Sequence, residues 1–214
     1  MREYRTLSQV LRRCSPAISD NAEPMKSSPT SQRIDPKFPT AIFLVGFMGS
    51  GKSTVGQRLA QKMAWKFVDL DRRIEEEEGA TIAEIFAHAG EPVFRHKEHD
   101  MLRRILQETA SGEGCIVALG GGTFAQQQNF DLLRNTGATS IWLECPVEIL
   151  LYRCALMTNR PLFRDEASFR QLYEQRLPFY RQATITVSTD DLSADEVVSK
   201  ILALEAFQGF ACRN

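Results

Sequence analysis

The sequence predicts an α/β fold in which a five-stranded parallel sheet carries helices on both faces. Short, continuous apolar runs recur along the chain, and such runs are typical of strands that are buried on both faces. Segments with a helical spacing of apolar residues lie between these runs. Because connections between parallel strands are right-handed and place their helices over the sheet, this alternation indicates a sheet covered on both sides.

The apolar runs give five predicted strands, in the order Ala41–Val45, Phe67–Asp69, Cys115–Leu119, Ser140–Leu143 and Ala183–Val187. The first predicted helix spans Ser53–Met63, because Val55, Leu59 and Met63 recur every four residues and so lie on one helical face.

Capping signals and helix breakers place the next helices. The segment Thr81–Glu84 has the spacing of a capping box and opens a helix that ends at Gly90. Pro92 suits the first position of a second helix, which runs towards Thr109. Another capping box, Ser193–Glu196, opens a helix after the last strand.

The composition is that of an ordinary globular protein, with 214 residues, 43% hydrophobic and 25% charged. The net charge of -1 gives no overall basic field, so a nucleic-acid partner is not expected. No apolar run reaches the length that a membrane span needs, so no membrane partner is expected either. The five cysteines are odd in number and lack CxxC spacing, which favours a reducing compartment, the cytoplasm.

Residues 1–40 differ from the rest of the chain. Residues 15–40 hold five prolines among many Ser and Thr residues, without apolar periodicity. We expect a disordered extension, because such a segment buries too little surface to offset its ordering entropy. The basic first nineteen residues are also compatible with a transit peptide, and Met25 offers an alternative start. The folded domain is predicted over residues 41–214.

A glycine-rich loop follows the first strand. The segment Gly46–Ser53 fits the pattern GxxxxGK[ST] and stands at the start of a helix. In such a loop the backbone N–H groups and the helix N-terminus bind a polyphosphate. Lys52 reaches the β- and γ-phosphates, and the Ser53 hydroxyl ligates Mg²⁺. The loop therefore predicts a nucleoside triphosphate site.

Other polar groups and glycines follow the later strands. Asp69 and Asp71 end the second strand, so that one carboxylate can join a magnesium shell while the other meets a substrate hydroxyl. Arg95 and Glu98 are spaced so that the glutamate can orient the guanidinium group. The glycines Gly120–Gly122 permit either a close ligand or a plain tight turn.

Two more segments complete the pattern. Asn159–Leu162 is a polar stretch between two helical segments, where a mobile lid would belong. Leu172–Tyr180 carries Arg176 in a predicted helix near the last strand.

In this order the motifs resemble the shikimate kinase family over about residues 41–205. The matching segments are the phosphate loop, Phe67–Glu75, Ile82–Glu98, the three glycines, Arg160–Leu162 and Leu172–Tyr180. The resemblance implies a P-loop fold similar to the nucleoside monophosphate kinases, with a substrate-binding region at about 71–110 and a lid at about 157–167. It also implies ATP-dependent phosphorylation of the 3-hydroxyl of shikimate, a step towards chorismate and the aromatic amino acids.

The resemblance further implies a role for each matching residue. The ATP-binding residues would be Gly49, Ser50, Gly51, Lys52, Ser53, Thr54, Arg153 and Arg160. The shikimate-binding residues would be Asp71, Arg95, Gly121, Gly122 and Arg176. The catalytic residues would be Lys52, Asp71 and Arg160. Mg²⁺ would be held by Ser53 directly and by Asp69 through water, in a monomer.

Two alternatives belong to other classes. Another small P-loop kinase, for gluconate or adenylate, would share the loop and lid but is not expected to carry the paired aspartates, FRxxE and three glycines together. A shikimate-sensing regulator would need a DNA-binding module, and residues 1–40 are too short and too rich in proline for one.

Overall fold

The computed structural model describes residues 40–110, 112–156 and 165–207. The predicted extension lies outside the described residues except for Thr40. Most of the predicted lid, with Arg160, also lies outside them. Both assignments therefore stay predictions.

The described strands form one sheet. They are β1 (Ala41–Val45), β2 (Lys66–Asp69), β3 (Cys115–Ala118), β4 (Thr139–Glu144) and β5 (Ile185–Ser188). All neighbours are parallel, in the order β2-β3-β1-β4-β5. The predicted five-stranded parallel sheet is confirmed.

Seven α-helices are found in the described part of the chain. They are α1 (Lys52–Met63), α2 (Leu70–Glu78), α3 (Ile82–Thr109), α4 (Gln127–Asn135), α5 (Val147–Ala155), α6 (Glu166–Tyr180) and α7 (Ala194–Leu202). A 3₁₀ turn, Glu205–Phe207, follows α7. None of the helices in these ranges is both long and apolar enough to cross a membrane.

The central strand shows why the apolar runs are continuous. Phe43 and Val45 point into a core cluster on one face of the sheet, and Ile42 and Leu44 point into a second cluster on the other face. Successive side chains of a strand alternate between faces, so a strand that is covered on both sides needs an apolar residue at every position.

Helix α3 breaks where the sequence predicts. Thr81 and Glu84 form the reciprocal capping box at its start. Gly90 has φ 79° and ψ 168°, a non-helical conformation that is essentially restricted to glycine. Pro92 follows in the first turn of the second half of the helix. The two halves therefore meet at an angle, and the second half carries Arg95.

The last strand starts later than predicted, at Ile185 rather than Ala183. The Ala183 N–H instead donates to the carbonyl of Tyr180 in the turn after α6, at 3.0 Å. The Thr184 N–H donates to the Ser140 hydroxyl, at 3.0 Å. Both backbone donors are thus used outside the ladder, which shortens the strand.

Candidate active site

The glycine-rich loop connects β1 to α1 and closes around the side chain of Lys52. The ammonium group donates to the carbonyl oxygens of Gly46 and Phe47, at 2.9 Å each. Gly46, Gly49 and Gly51 adopt positive φ angles of 143°, 80° and 89°. Because side chains rarely adopt this conformation, the glycines allow the loop to turn its backbone inwards before the helix begins.

Helix α5 packs directly against this loop. A Cβ atom at Gly49 would lie 3.0 Å from the sulfur of Cys154, so only glycine lets α5 come this close. The Arg153 guanidinium donates to the Gly49 carbonyl, at 3.3 Å. The structure therefore brings the predicted ATP-binding residue Arg153 to the phosphate loop.

A cavity of about 420 Å³ opens beside the loop, within the usual size range of a small-molecule site. The phosphate loop, the start of α1 and Arg153 line one side of the cavity. The other side is lined by residues that follow β5, which are Thr189, Leu192, Ala194 and Val197. This second wall was not predicted. It follows the carboxyl end of a strand, where ligands of parallel sheets bind, and that position is the one sequence signal that could have indicated it.

Two oxygen-bearing side chains meet next to the loop. The Ser53 hydroxyl donates to the Asp69 carboxylate, at 2.5 Å. Asp69 also caps α2, because its side chain accepts from the Arg72 N–H at 3.3 Å. These are hard oxygen donors of the type that Mg²⁺ prefers, so their chemistry fits the predicted metal position.

Asp71 lies in the first turn of α2 and faces the glycines after β3. A Cβ atom at Gly120 would lie 2.5 Å from a carboxylate oxygen of Asp71 and 2.8 Å from one of Glu98. The Thr123 N–H also donates to the Gly120 carbonyl, at 3.1 Å. The sequence left open whether these glycines form a tight turn or allow another group to come close. The structure shows both, since the chain turns at Gly120 and two carboxylates lie close to its backbone.

Arg95 and Arg176 converge at Gly122, although they belong to different helices. A Cβ atom there would lie 2.9 Å from a terminal nitrogen of Arg95 and 3.0 Å from one of Arg176. Gly121 is also close to Arg176. A Cβ atom at Gly121 would lie 3.7 Å from a terminal nitrogen of that arginine. Two planar cations thus flank one stretch of glycine backbone.

Arg95 is oriented by a buried carboxylate. Its guanidinium donates to Glu98 at 2.7 Å, as the spacing of the two residues predicts. Glu98 is 1% exposed and also accepts from the Thr123 hydroxyl and, at 2.6 Å, from the Gln126 amide. Gln126 stands at the N-cap of α4 without capping it, since its side chain is directed to Glu98. Neither Thr123 nor Gln126 was predicted.

Arg176 is 8% exposed, and no carboxylate pairs with it in the described parts of the chain. Its guanidinium lies 5.5 Å from the centre of the Phe47 ring. Burial is the main cause that lowers the pKa of this group, and the neighbouring charge of Arg95 adds to the effect. A buried cation without a fixed counter-ion is suited to a ligand that brings the negative charge.

A glycine-rich phosphate loop next to a cluster of acidic side chains and two arginines is typical of a small P-loop kinase. The comparisons with known proteins point to one family of this class. The family model described as shikimate kinase matches residues 48–205. The shikimate kinase of Persephonella marina is 42% identical over 162 residues, which cover 75% of this chain and 96% of that protein.

Two further relatives agree. The shikimate kinase of Chlorobium chlorochromatii is 41% identical over 165 residues, which cover 72% of this chain and 84% of that protein. The solved structure of a shikimate kinase from Acinetobacter baumannii in complex with shikimate is 37% identical, with a TM-score of 0.71. That match covers 77% of this chain and 91% of the other.

The chain belongs to the shikimate kinase family and is an ATP-using kinase. The resemblance stated from the motifs and the predicted enzyme class are thereby confirmed. Nothing found favours the gluconate or adenylate kinase alternative, or a regulator.

Proposed function

We propose that this site transfers the γ-phosphoryl group of ATP to the 3-hydroxyl of shikimate, with the carboxylate of shikimate held between Arg95 and Arg176. As a member of its family the chain phosphorylates shikimate, a step of the pathway to the aromatic amino acids. The observation that carries the residue assignment is the buried Arg176 without an ion pair in the described chain, facing Arg95 across Gly122.

The nucleotide would bind in the cavity beside the phosphate loop. The backbone from Gly49 to Thr54 and the start of α1 would bind the phosphates, with Lys52 at the β- and γ-phosphates. Arg153 lies on the wall of this cavity and would contact the nucleoside end. Hydrogen bonds to the carbonyls of Gly46 and Phe47 keep the ammonium group of Lys52 within the loop that would bind the phosphates.

Mg²⁺ would be held by the Ser53 hydroxyl and, through water, by the carboxylate of Asp69. Their mutual hydrogen bond shows that both oxygens reach the same point next to the loop. When bound, the ion neutralises charge on the β- and γ-phosphates. Binding would require Ser53 to turn its hydrogen away from Asp69.

The substrate would lie across the glycines that follow β3. Carboxylates form strong, directional hydrogen bonds with guanidinium groups, which explains the choice of arginine at positions 95 and 176. Gly121 and Gly122 would contact the ring, since any side chain there would displace the arginines or the phosphate loop. Asp71, whose carboxylate lies beside Gly120, would accept a hydrogen bond from a hydroxyl.

The chemistry requires positioning and charge neutralisation, because negative charge spreads over the phosphoryl oxygens in the transition state. Lys52 would supply positive charge from the loop, and Arg160 would supply it from the predicted lid. Asp71 would accept the proton of the attacking 3-hydroxyl as the new P–O bond forms and ADP leaves. Assembly as a monomer and location in the cytoplasm stay predictions.

The experiment compares shikimate-dependent ADP release in Arg95→Ala and Arg176→Ala with that of the wild type. Each truncation leaves a substrate charge unpaired, so we expect a loss of roughly 2–4 kcal/mol, which is a rise of about 30- to 1000-fold in KM for shikimate. Arg134→Ala is the matched control, because Arg134 is an exposed arginine at the end of α4.

A shikimate analogue without the carboxylate tests which group the arginines hold. It should bind poorly to the wild type and lose little more in either variant, since the interaction is already absent. If the analogue and the substitutions weaken binding additively, the two arginines hold another group and the assignment is wrong.

A further inference from the structure

The side chain of Tyr180 reaches from the end of α6 to the glycine loop. It is completely buried, and its ring stacks on Trp142 with centroids 6.1 Å apart. Its hydroxyl donates a hydrogen bond to the carbonyl oxygen of Gly121. A residue in the core is thereby attached to the backbone on which the substrate would lie.

The same hydroxyl is next to Arg176, which precedes it by one helical turn. Both groups lie at the same glycine, because a terminal nitrogen of Arg176 is 3.7 Å from the position that a Cβ atom would take at Gly121. Burial strongly raises the pKa of Tyr180, so the hydroxyl keeps its proton, donates to Gly121 and retains lone pairs that can face the neighbouring guanidinium. One hydroxyl therefore lies beside both a side chain and a backbone group of the proposed carboxylate site.

We propose that Tyr180 is a positioning residue for shikimate, whose hydroxyl holds the guanidinium of Arg176 in a fixed place relative to the glycine loop. The inference rests on the proposed function, because it presumes that Arg176 binds the substrate carboxylate.

A neutral hydrogen-bond partner suits Arg176 better than a charged one. Arg95 is held by the carboxylates of Glu91 and Glu98, which also offset its charge. Arg176 carries no ion pair in the described ranges, so its orientation depends on weaker contacts such as the Phe47 ring. A carboxylate here would orient Arg176 but compete with the substrate, whereas a phenol orients it and leaves the charge available.

The test is Tyr180→Phe, which keeps the ring and removes only the oxygen. We expect KM for shikimate to rise by about tenfold or more, because the proposed hydrogen bond to a charged group is lost. KM for ATP should stay within about twofold, since the nucleotide cavity does not include Tyr180. Tyr173→Phe is the matched control, a half-buried tyrosine on the same helix whose ring contacts Phe47.

A double-mutant cycle separates a specific link from a general loss of packing. In an Arg176→Ala background, Tyr180→Phe should change KM for shikimate by less than about twofold, because the group that it positions is absent. Equal effects in both backgrounds would overturn the proposal. So would a lower melting temperature together with an unchanged KM for shikimate, which would make the hydroxyl merely structural.

If Tyr180→Phe does not fold, Arg176→Lys tests the proposed interaction between Tyr180 and Arg176 from the side of the arginine. A lysine ammonium cannot copy the planar fork that contacts Tyr180 and a carboxylate together, so KM for shikimate should again rise about tenfold or more. A wild-type KM in this variant would overturn the proposal. If Arg176→Ala itself leaves KM for shikimate unchanged, it is the carboxylate site under the proposed function that fails.

Discussion

The hydroxyl of Ser50 is a polar group that is buried within the phosphate loop. Ser50 is 2% exposed, and its oxygen has no hydrogen-bond partner in the described chain. It lies against Gly46, 3.0 Å from the position that a Cβ would take there. A buried hydroxyl without a partner costs roughly 1–3 kcal/mol, so this residue is expected to weaken the fold slightly.

Ser50→Ala should therefore stabilise the protein. Removal of the oxygen should raise the melting temperature by about 2–4 °C, the shift that about 1 kcal/mol gives in a domain of this size. Ser140→Ala is the control, because that buried hydroxyl accepts from the Thr184 N–H and its loss should lower the melting temperature. A lower melting temperature for Ser50→Ala would show that the hydroxyl has a partner, such as an ordered water.

At the residue scale the sequence predicts local pairs better than distant ones. Arg95 and Glu98 are three positions apart on a helix, so their contact follows from the helical repeat alone. Tyr180 and Gly121 are 59 positions apart, and Gln126 and Glu98 are 28 apart. Those contacts depend on how α6 and α4 pack onto the sheet, and no local pattern encodes that packing.

Among the elements, α3 shows how one residue sets the direction of a functional side chain. Both halves of the helix have ordinary helical patterns, and the break at Gly90 decides the angle between them. Arg95 lies in the second half, close to the break. The conformation of Gly90 therefore contributes to the placement of Arg95 at Gly122.

Gly90→Ala should destabilise the fold by roughly 1–3 kcal/mol, because the φ and ψ of Gly90 are essentially forbidden to other residues. Gly79→Ala should cost about 1 kcal/mol, since Gly79 has the left-handed conformation common at helix ends. A Cβ at Gly79 meets nothing within 4 Å and one at Gly90 meets only Pro92 at 3.7 Å, so the pair isolates backbone strain. Equal costs in urea unfolding would contradict this reasoning.

The glutamate run of α2 shows a limit of element-level prediction. As an amphipathic pattern, Glu75–Glu78 indicates only an exposed face. The structure uses the run to join α2 to α3, with Glu77 paired to Arg104 and Glu78 paired to Lys97, at 2.7 Å each. The strands, the helix breaks and the loop motif are predictable because their signals are contiguous, whereas pairings between helices need the assembled fold.

At the scale of the whole molecule, several carboxylates have pKa values held below the ordinary value of 4.5. Hydrogen bonds from Arg73, Thr81 and Ser193 are the main causes for Glu108, Glu84 and Glu196. A lowered pKa in the folded state contributes stability above the unfolded pKa, and that contribution is lost as the pH falls through the folded pKa.

The free energy of unfolding should therefore decrease as the pH is lowered from about 5 towards 3. Urea unfolding at a series of pH values measures this slope. A variant with Glu84, Glu108 and Glu196 all changed to Gln should show a shallower slope, because three of the titrating groups are gone. An unchanged slope would mean that these contacts do not persist in solution. Added salt should weaken the effect, since the groups lie at the surface.

The predicted division of the chain near residue 40 is tested at the scale of the whole molecule. The first described strand, β1, is the central strand of the sheet and pairs with β3 and β4. Removal of residues 1–39 should leave kcat and the melting temperature close to those of the full chain, because that segment has too little apolar sequence to pack strongly. Removal of residues 1–45 is the matched comparison, since it also deletes β1 and should abolish folding. A large loss of stability in the shorter deletion would show that the extension packs on the kinase, and the predicted boundary would then be wrong.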